Sequence, residues 1–61
     1  MEKEEVIRRL KEHLKAKKRQ SGKLCKYDKN FSIKYVMDCL LLTREQALEF
    51  LKKHIPSVVN L

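Results

Sequence analysis

Ser32-Ile33-Lys34-Tyr35-Val36-Met37-Asp38-Cys39-Leu40-Leu41-Leu42-Thr43-Arg44-Glu45-Gln46-Ala47-Leu48-Glu49-Phe50-Leu51-Lys52-Lys53 reads as two helices with a sharp break between them. Ser32 is a good N-cap for a helix over 33–42, because its hydroxyl can accept from a free N–H of the first turn. Ile33, Val36, Met37, Leu40 and Leu41 form one apolar face of that helix. Tyr35, Cys39 and Leu42 form a second face at i, i+4, i+7. A helix apolar on both sides is either central to a core or carries a partner surface. Thr43 then restarts the chain. Thr43 and Gln46 stand three apart, which is the spacing of a capping box. A third helix is expected over 44–54, with Ala47, Leu48, Leu51 and Ile55 inward, Phe50 at the edge, and Arg44, Glu45, Glu49, Lys52 and Lys53 outward. Ile55-Pro56 stops it, since the residue before a proline avoids the helical region.

Upstream of this segment, residues 2–19 predict a first amphipathic helix. Val6, Leu10 and Leu14 recur every fourth residue with Ile7 beside them. Glu4–Arg8 and Glu5–Arg9 place acid before base at i,i+4, the favourable order. Ser21-Gly22 ends it, with Gly22 in the left-handed region. Residues 23–31 begin as an apolar–polar alternation and then carry the turn chemistry of Tyr27-Asp28-Lys29-Asn30. They predict a loop with a short extended piece, anchored by Leu24 and Phe31. The tail Ser57-Val58-Val59-Asn60-Leu61 is apolar enough to pack back as a strand. The expectation is one all-α domain over 1–61, three helices with a minimal two-stranded, wing-like element between residues 24–31 and 55–61. At 61 residues the chain holds one small domain of marginal stability, burying about 60% of its unfolded surface.

Charge carries the functional reading. The net charge is +7. Residues 1–7 hold −2 and residues 35–61 hold 0, whereas residues 8–34 set eleven Lys and Arg against only Glu12 and Asp28, a local +9. Acids at the start of the first helix and bases at its end complement the helix dipole. That accounts for Glu2, Glu4 and Glu5 and for part of Lys15 to Arg19. It leaves Lys23, Lys26, Lys29 and Lys34 unexplained, and such a field is a polyanion footprint. The bland counterpart is a solvated basic surface.

The segment 32–53 resembles a helix-turn-helix unit, with the motif's apolar positions on Val36, Leu40, Leu42, Ala47 and Phe50 and its polar cap on Thr43. The whole order of elements is similar to a truncated winged helix. The motif's usual small residue and turn glycine are Met37 and Leu41 here, so a non-glycine residue must take the turn geometry. The resemblance implies that the third helix enters the major groove of double-stranded DNA. Arg44 would then pair with guanine and Gln46 with adenine, while Thr43 would contact phosphate. The third helix has little charge of its own, so phosphate contacts fall to Lys15, Lys17, Lys18, Arg19, Lys23, Lys26 and Lys34. Capping and solvation are the competing roles of Thr43, Arg44 and Gln46.

Other chemistries have less support. Cys25 lies among lysines, a setting in which a thiol can be reactive, but no base or oxyanion donor accompanies it. Cys39 reads as a small core hydrophobe. His13, Cys25, Cys39 and His54 are zinc-ligand types without close paired spacing. There is no paired-carboxylate, triad or phosphate-loop constellation, so neither an enzyme nor a cofactor is expected. No stretch is apolar enough to span a bilayer, and Met-Glu-Lys-Glu-Glu is not a leader sequence. Met1 fits a natural start. Two cysteines without secretory context point to reduced thiols in the cytoplasm, at the nucleoid if DNA is bound. The expected function is nucleic-acid binding, DNA before RNA, in a small regulator or chromatin-like protein, with homodimer formation open. The alternative is an adaptor or inhibitor that docks a protein partner on Tyr35, Cys39 and Leu42.

Overall fold

The computed structural model describes residues 2–61 as four helices: α1 (Lys3–Ser21), α2 (Lys26–Leu40), α3 (Arg44–His54) and α4 (Pro56–Val59). Met1, counted within the domain expected over 1–61, lies outside the described residues. The fold is all-α. Each helix sends apolar side chains to one core: Val6, Leu10 and Leu14 from α1, Ile33 and Val36 from α2, Ala47, Phe50 and Leu51 from α3, then Ile55 and Val58. Burying one such side chain contributes roughly 1.5–3 kcal/mol. A core of ten residues, in a molecule of 30 × 20 × 17 Å, therefore leaves little reserve.

α1 runs two residues past its expected end, and Gly22 caps it at φ 82° with its N–H on the Lys18 carbonyl. α3 has the expected bounds. The Thr43 hydroxyl accepts from the Gln46 N–H at 3.2 Å, and Gln46 Oε1 accepts from the Thr43 N–H at 3.0 Å. On its inner face Phe50 is buried and Leu48 only half-buried, the reverse of the periodicity reading. α3 packs against both α2 and α4, and Phe50 and Leu51 both belong to the shared core while Leu48 lies at its margin.

Two expectations are corrected. α2 begins at Lys26, not at residue 33. Asp28 stands at the third helical position and reaches back to accept the Cys25 N–H at 2.9 Å, so Tyr27-Asp28-Lys29-Asn30 forms a capped first turn of helix rather than a loop. Ser32 is accordingly no cap. It lies buried inside the helix and donates to the Asp28 carbonyl at 2.8 Å. Among the described residues there is no strand, so the wing-like element is absent. Once residues 26–31 are helical, the tail has no extended partner. Pro56 instead opens the single turn α4, where its missing N–H costs nothing, and Val58 is driven fully into the core.

α2 also ends two residues earlier than expected. Leu41 follows it in the left-handed region at φ 55° and ψ 47°. The Leu41 and Leu42 N–H groups both bond the Met37 carbonyl, so a left-handed leucine closes the helix where glycine usually stands. Leu41, read as part of the apolar face, is turned outward and is 90% exposed.

Candidate nucleic-acid interface

α1 divides the basic surface in two. Its buried stripe of Val6, Leu10 and Leu14 faces the core, so the positions on either side of that stripe open toward different neighbours. On one side Lys11, Lys15 and Lys18 follow each other at i, i+4, i+7. They line a shallow groove with Lys23, closed by His54 and the C-terminal segment and floored by Leu14, Leu24 and Ile55. No acidic residue lines this groove. Among the described residues Arg9–Glu5 is the single ion pair, at 2.8 Å, so the groove lysines are not neutralised by carboxylates. Four ammonium groups around a concave floor raise the local potential further than the same charges on a convex surface.

On the other side of α1, His13 stacks on Phe31 with ring centres 4.5 Å apart, and Phe31 stacks on Tyr35 at 5.9 Å. Lys17 Nζ lies 5.8 Å from the centre of the Tyr27 ring. Tyr27, Phe31 and Tyr35 share one face of α2 at i, i+4, i+8. With Asn30, Lys34 and Asp38 they line a cleft of about 490 Å³.

The structure thus gathers Lys15, Lys18 and Lys23 of the expected contact set in one groove and adds Lys11. Lys17 and Lys34 fall at the aromatic cleft, with Lys17 half-buried. Arg19 and Lys26 are exposed at the basic end of the molecule. Lys26 occupies the first position of α2, where the helix dipole disfavours a cation, so helix stability does not explain its charge. Thr43, Arg44 and Gln46 are exposed at the start of α3. They lie some ten residues, about 15 Å along the axis, from His54 at the groove end. The Thr43 hydroxyl and Gln46 Oε1 are both engaged in the cap. Adenine readout would need that same Oε1 as acceptor beside the Gln46 amide donor.

Tyr35, Cys39 and Leu42 are half-buried and packed against the core, so the second apolar face of α2 is largely consumed by the fold. Burial pushes the Tyr35 phenol above its ordinary pKa. The Cys25 thiol donates to Asp28 at 3.3 Å, and both cysteines are free. The Cys25 N–H holds the Asp28 carboxyl below its ordinary value against the opposing effect of burial, with help from the thiol and from Lys17 and His13. His13 stacks on Phe31 and His54 lies tilted against Phe50, and no three His, Cys, Asp or Glu side chains converge on a metal site among the described residues.

Tyr27, Phe31 and Lys11 are absent from the contact set expected from the sequence, which gives Phe31 only as a core anchor and Tyr27 only as a turn residue. The i, i+4, i+8 aromatic spacing was legible only if residues 26–31 were helical, whereas the Lys11-Lys15-Lys18 register was present in the first helix all along. No helix is long and apolar enough to cross a membrane among the described residues. No known family model matches the chain, and it has no match among curated proteins or solved structures.

Proposed function

We propose that this protein binds nucleic acid, chiefly through phosphate contacts from Lys11, Lys15, Lys18 and Lys23. The observation that carries the reading is the convergence of these four lysines on one groove without an acidic neighbour. Helix-dipole compensation would place cations only at the end of α1. It does not account for Lys23 or for the cation at the start of α2. Arg19 and Lys26 extend the field at the same end. In this reading Thr43 and Gln46 serve the α3 cap, and Arg44 is a peripheral contact. Affinity therefore comes from the backbone of the polyanion rather than from base edges in the major groove.

The test is fluorescence anisotropy with a labelled duplex and a labelled single strand, each at low and at moderate salt. Binding weakens steeply with salt, and the Lys11/Lys15/Lys18→Ala variant reduces the slope of log affinity against log salt by about 2–3. Absence of binding at low salt, or an unchanged slope in the variant, overturns the reading.

A second reading has one specific observation in its favour. Leu41 is held exposed in a conformation that leucine disfavours, beside the half-buried Leu42. An adaptor that docks a protein partner at the α2–α3 junction would use Leu41 and Leu42 with Tyr35 and Cys39. Such binding would change little with salt.

A further inference from the structure

We infer that the aromatic face of α2 is a stacking platform for the bases of a single-stranded nucleic acid whose phosphates are held by the neighbouring lysines. The inference rests on the polyanion reading above and names its substrate class.

The chain has two Tyr and two Phe, and three of these four rings lie on this face. His13, Phe31 and Tyr35 form a continuous near-parallel stack, with successive planes inclined by 25° and 20°. Packing explains the inner part of that stack, since Phe31 and Tyr35 also touch the core. It does not explain Tyr27, which continues the same stripe and is 67% exposed. An exposed tyrosine one turn from a stack of rings offers a flat π surface at small conformational cost.

The polar groups around the cleft differ from those of the lysine groove in a way that sorts the two halves of a nucleotide. The lysine groove contains no acid and suits phosphate. The aromatic cleft contains Asp38, which repels phosphate but accepts from an amino group on a base, and Asn30, whose amide both donates and accepts. Lys34 lines the cleft, Lys17 stands over the Tyr27 ring at its edge, and the two supply the charge that an apolar peptide would not require. Base stacking on protein rings needs unpaired bases, because in a duplex the base faces are already covered by one another and only their edges are open. The platform therefore selects single strands.

The experiment compares a labelled mixed-sequence single strand of about 12 nucleotides with an abasic strand of equal length and charge. The intact strand binds wild-type protein at least about tenfold more tightly than the abasic strand. It also quenches tyrosine emission, which here arises from Tyr27 and Tyr35 alone because the chain lacks Trp. Tyr27→Ala, at a site outside the core, weakens binding of the intact strand about tenfold and leaves the abasic strand unaffected. Tyr27→Phe retains the ring and the affinity. Far-UV circular dichroism verifies that both variants keep the helical fold. Equal binding of intact and abasic strands overturns the platform while the phosphate reading stands. Failure of both strands to bind overturns the platform, and failure of a duplex of equal charge at low salt overturns the phosphate reading with it.

Discussion

The α1–α2 and α2–α3 junctions are built on the same local plan but differ in side-chain chemistry. In each, a helix closes on a residue in the left-handed region, and the next helix opens with a side chain at its third position accepting the N-cap N–H. At the first junction the left-handed residue is Gly22 and the accepting side chain is Asp28. At the second they are Leu41 and Gln46. Around the first lie Lys17, Lys18, Arg19, Lys23 and Lys26; around the second lie Leu40, Leu41 and Leu42 with no lysine among them. The backbone solution is therefore indifferent to the surface it carries, and the surface chemistry needs an explanation of its own. Charge beyond what the helix dipole rewards is concentrated at the first junction, where the proposed phosphate contacts fall. A leucine where glycine would fit better is the anomaly of the second.

Exchanging the left-handed residues breaks the parallel most strongly at the first junction. Gly22→Leu is expected to lower stability by about 1–2 kcal/mol. A Cβ at Gly22 meets nothing within 4 Å, so the loss is torsional and not steric. Chemical denaturation measures it directly, and for a domain of this size it is a large fraction of the total. Leu41→Gly is expected to act in the opposite direction, raising the unfolding free energy by about 0.5–1 kcal/mol. Relief of the left-handed strain there exceeds the added chain entropy of glycine. The same variant leaves salt-dependent nucleic-acid binding unchanged. If it instead abolished capture of a protein partner, the second junction would be the functional one.

A pH titration sharpens the comparison of the two caps, because only the first uses an ionised side chain. The folded pKa of Asp28 is depressed below its ordinary 3.8, so its contribution is fully present above that value and is lost as the pH falls through the depressed folded value. Melting curves of wild type and Asp28→Asn should therefore differ at neutral pH and converge in acid. Thr43→Ala, which removes an uncharged cap, should keep a pH-independent deficit of about 1 kcal/mol.

The periodicities of α1 and α3 were enough to locate both helices, because each repeats an apolar stripe against a charged background and is bounded at one end by an unambiguous signal. Gly22 and the Thr43–Gln46 pair are such signals. Residues 23–31 misled the reading for a physical reason. Asp and Asn serve turns and helix starts with the same hydrogen-bonding capacity, and Tyr27-Asp28-Lys29-Asn30 satisfies either. The helical start is held by the Asp28 cap on Cys25, by the Ser32 hydroxyl on the Asp28 carbonyl one turn back, and by one contact distant in sequence, Phe31 against His13 of α1. The tail was misread for the same reason, since a strand exists only if another strand is there to pair with it.

The candidate site divides along the same line. Composition alone shows a local +9 between residues 8 and 34, and helical spacing alone aligns Lys11, Lys15 and Lys18. Neither reveals that Lys23 and His54 close a groove around those lysines, or that Tyr27, Phe31 and Tyr35 share a face. What the sequence determined by itself was the helical class, the two strong caps, most of the core and the region that carries the charge, because these depend on residues within a few turns of one another. Only the tertiary structure decided the extent of α2, the fate of the tail and the separation of the basic surface into a lysine groove and an aromatic cleft, because those depend on which faces of α1 the rest of the chain covers.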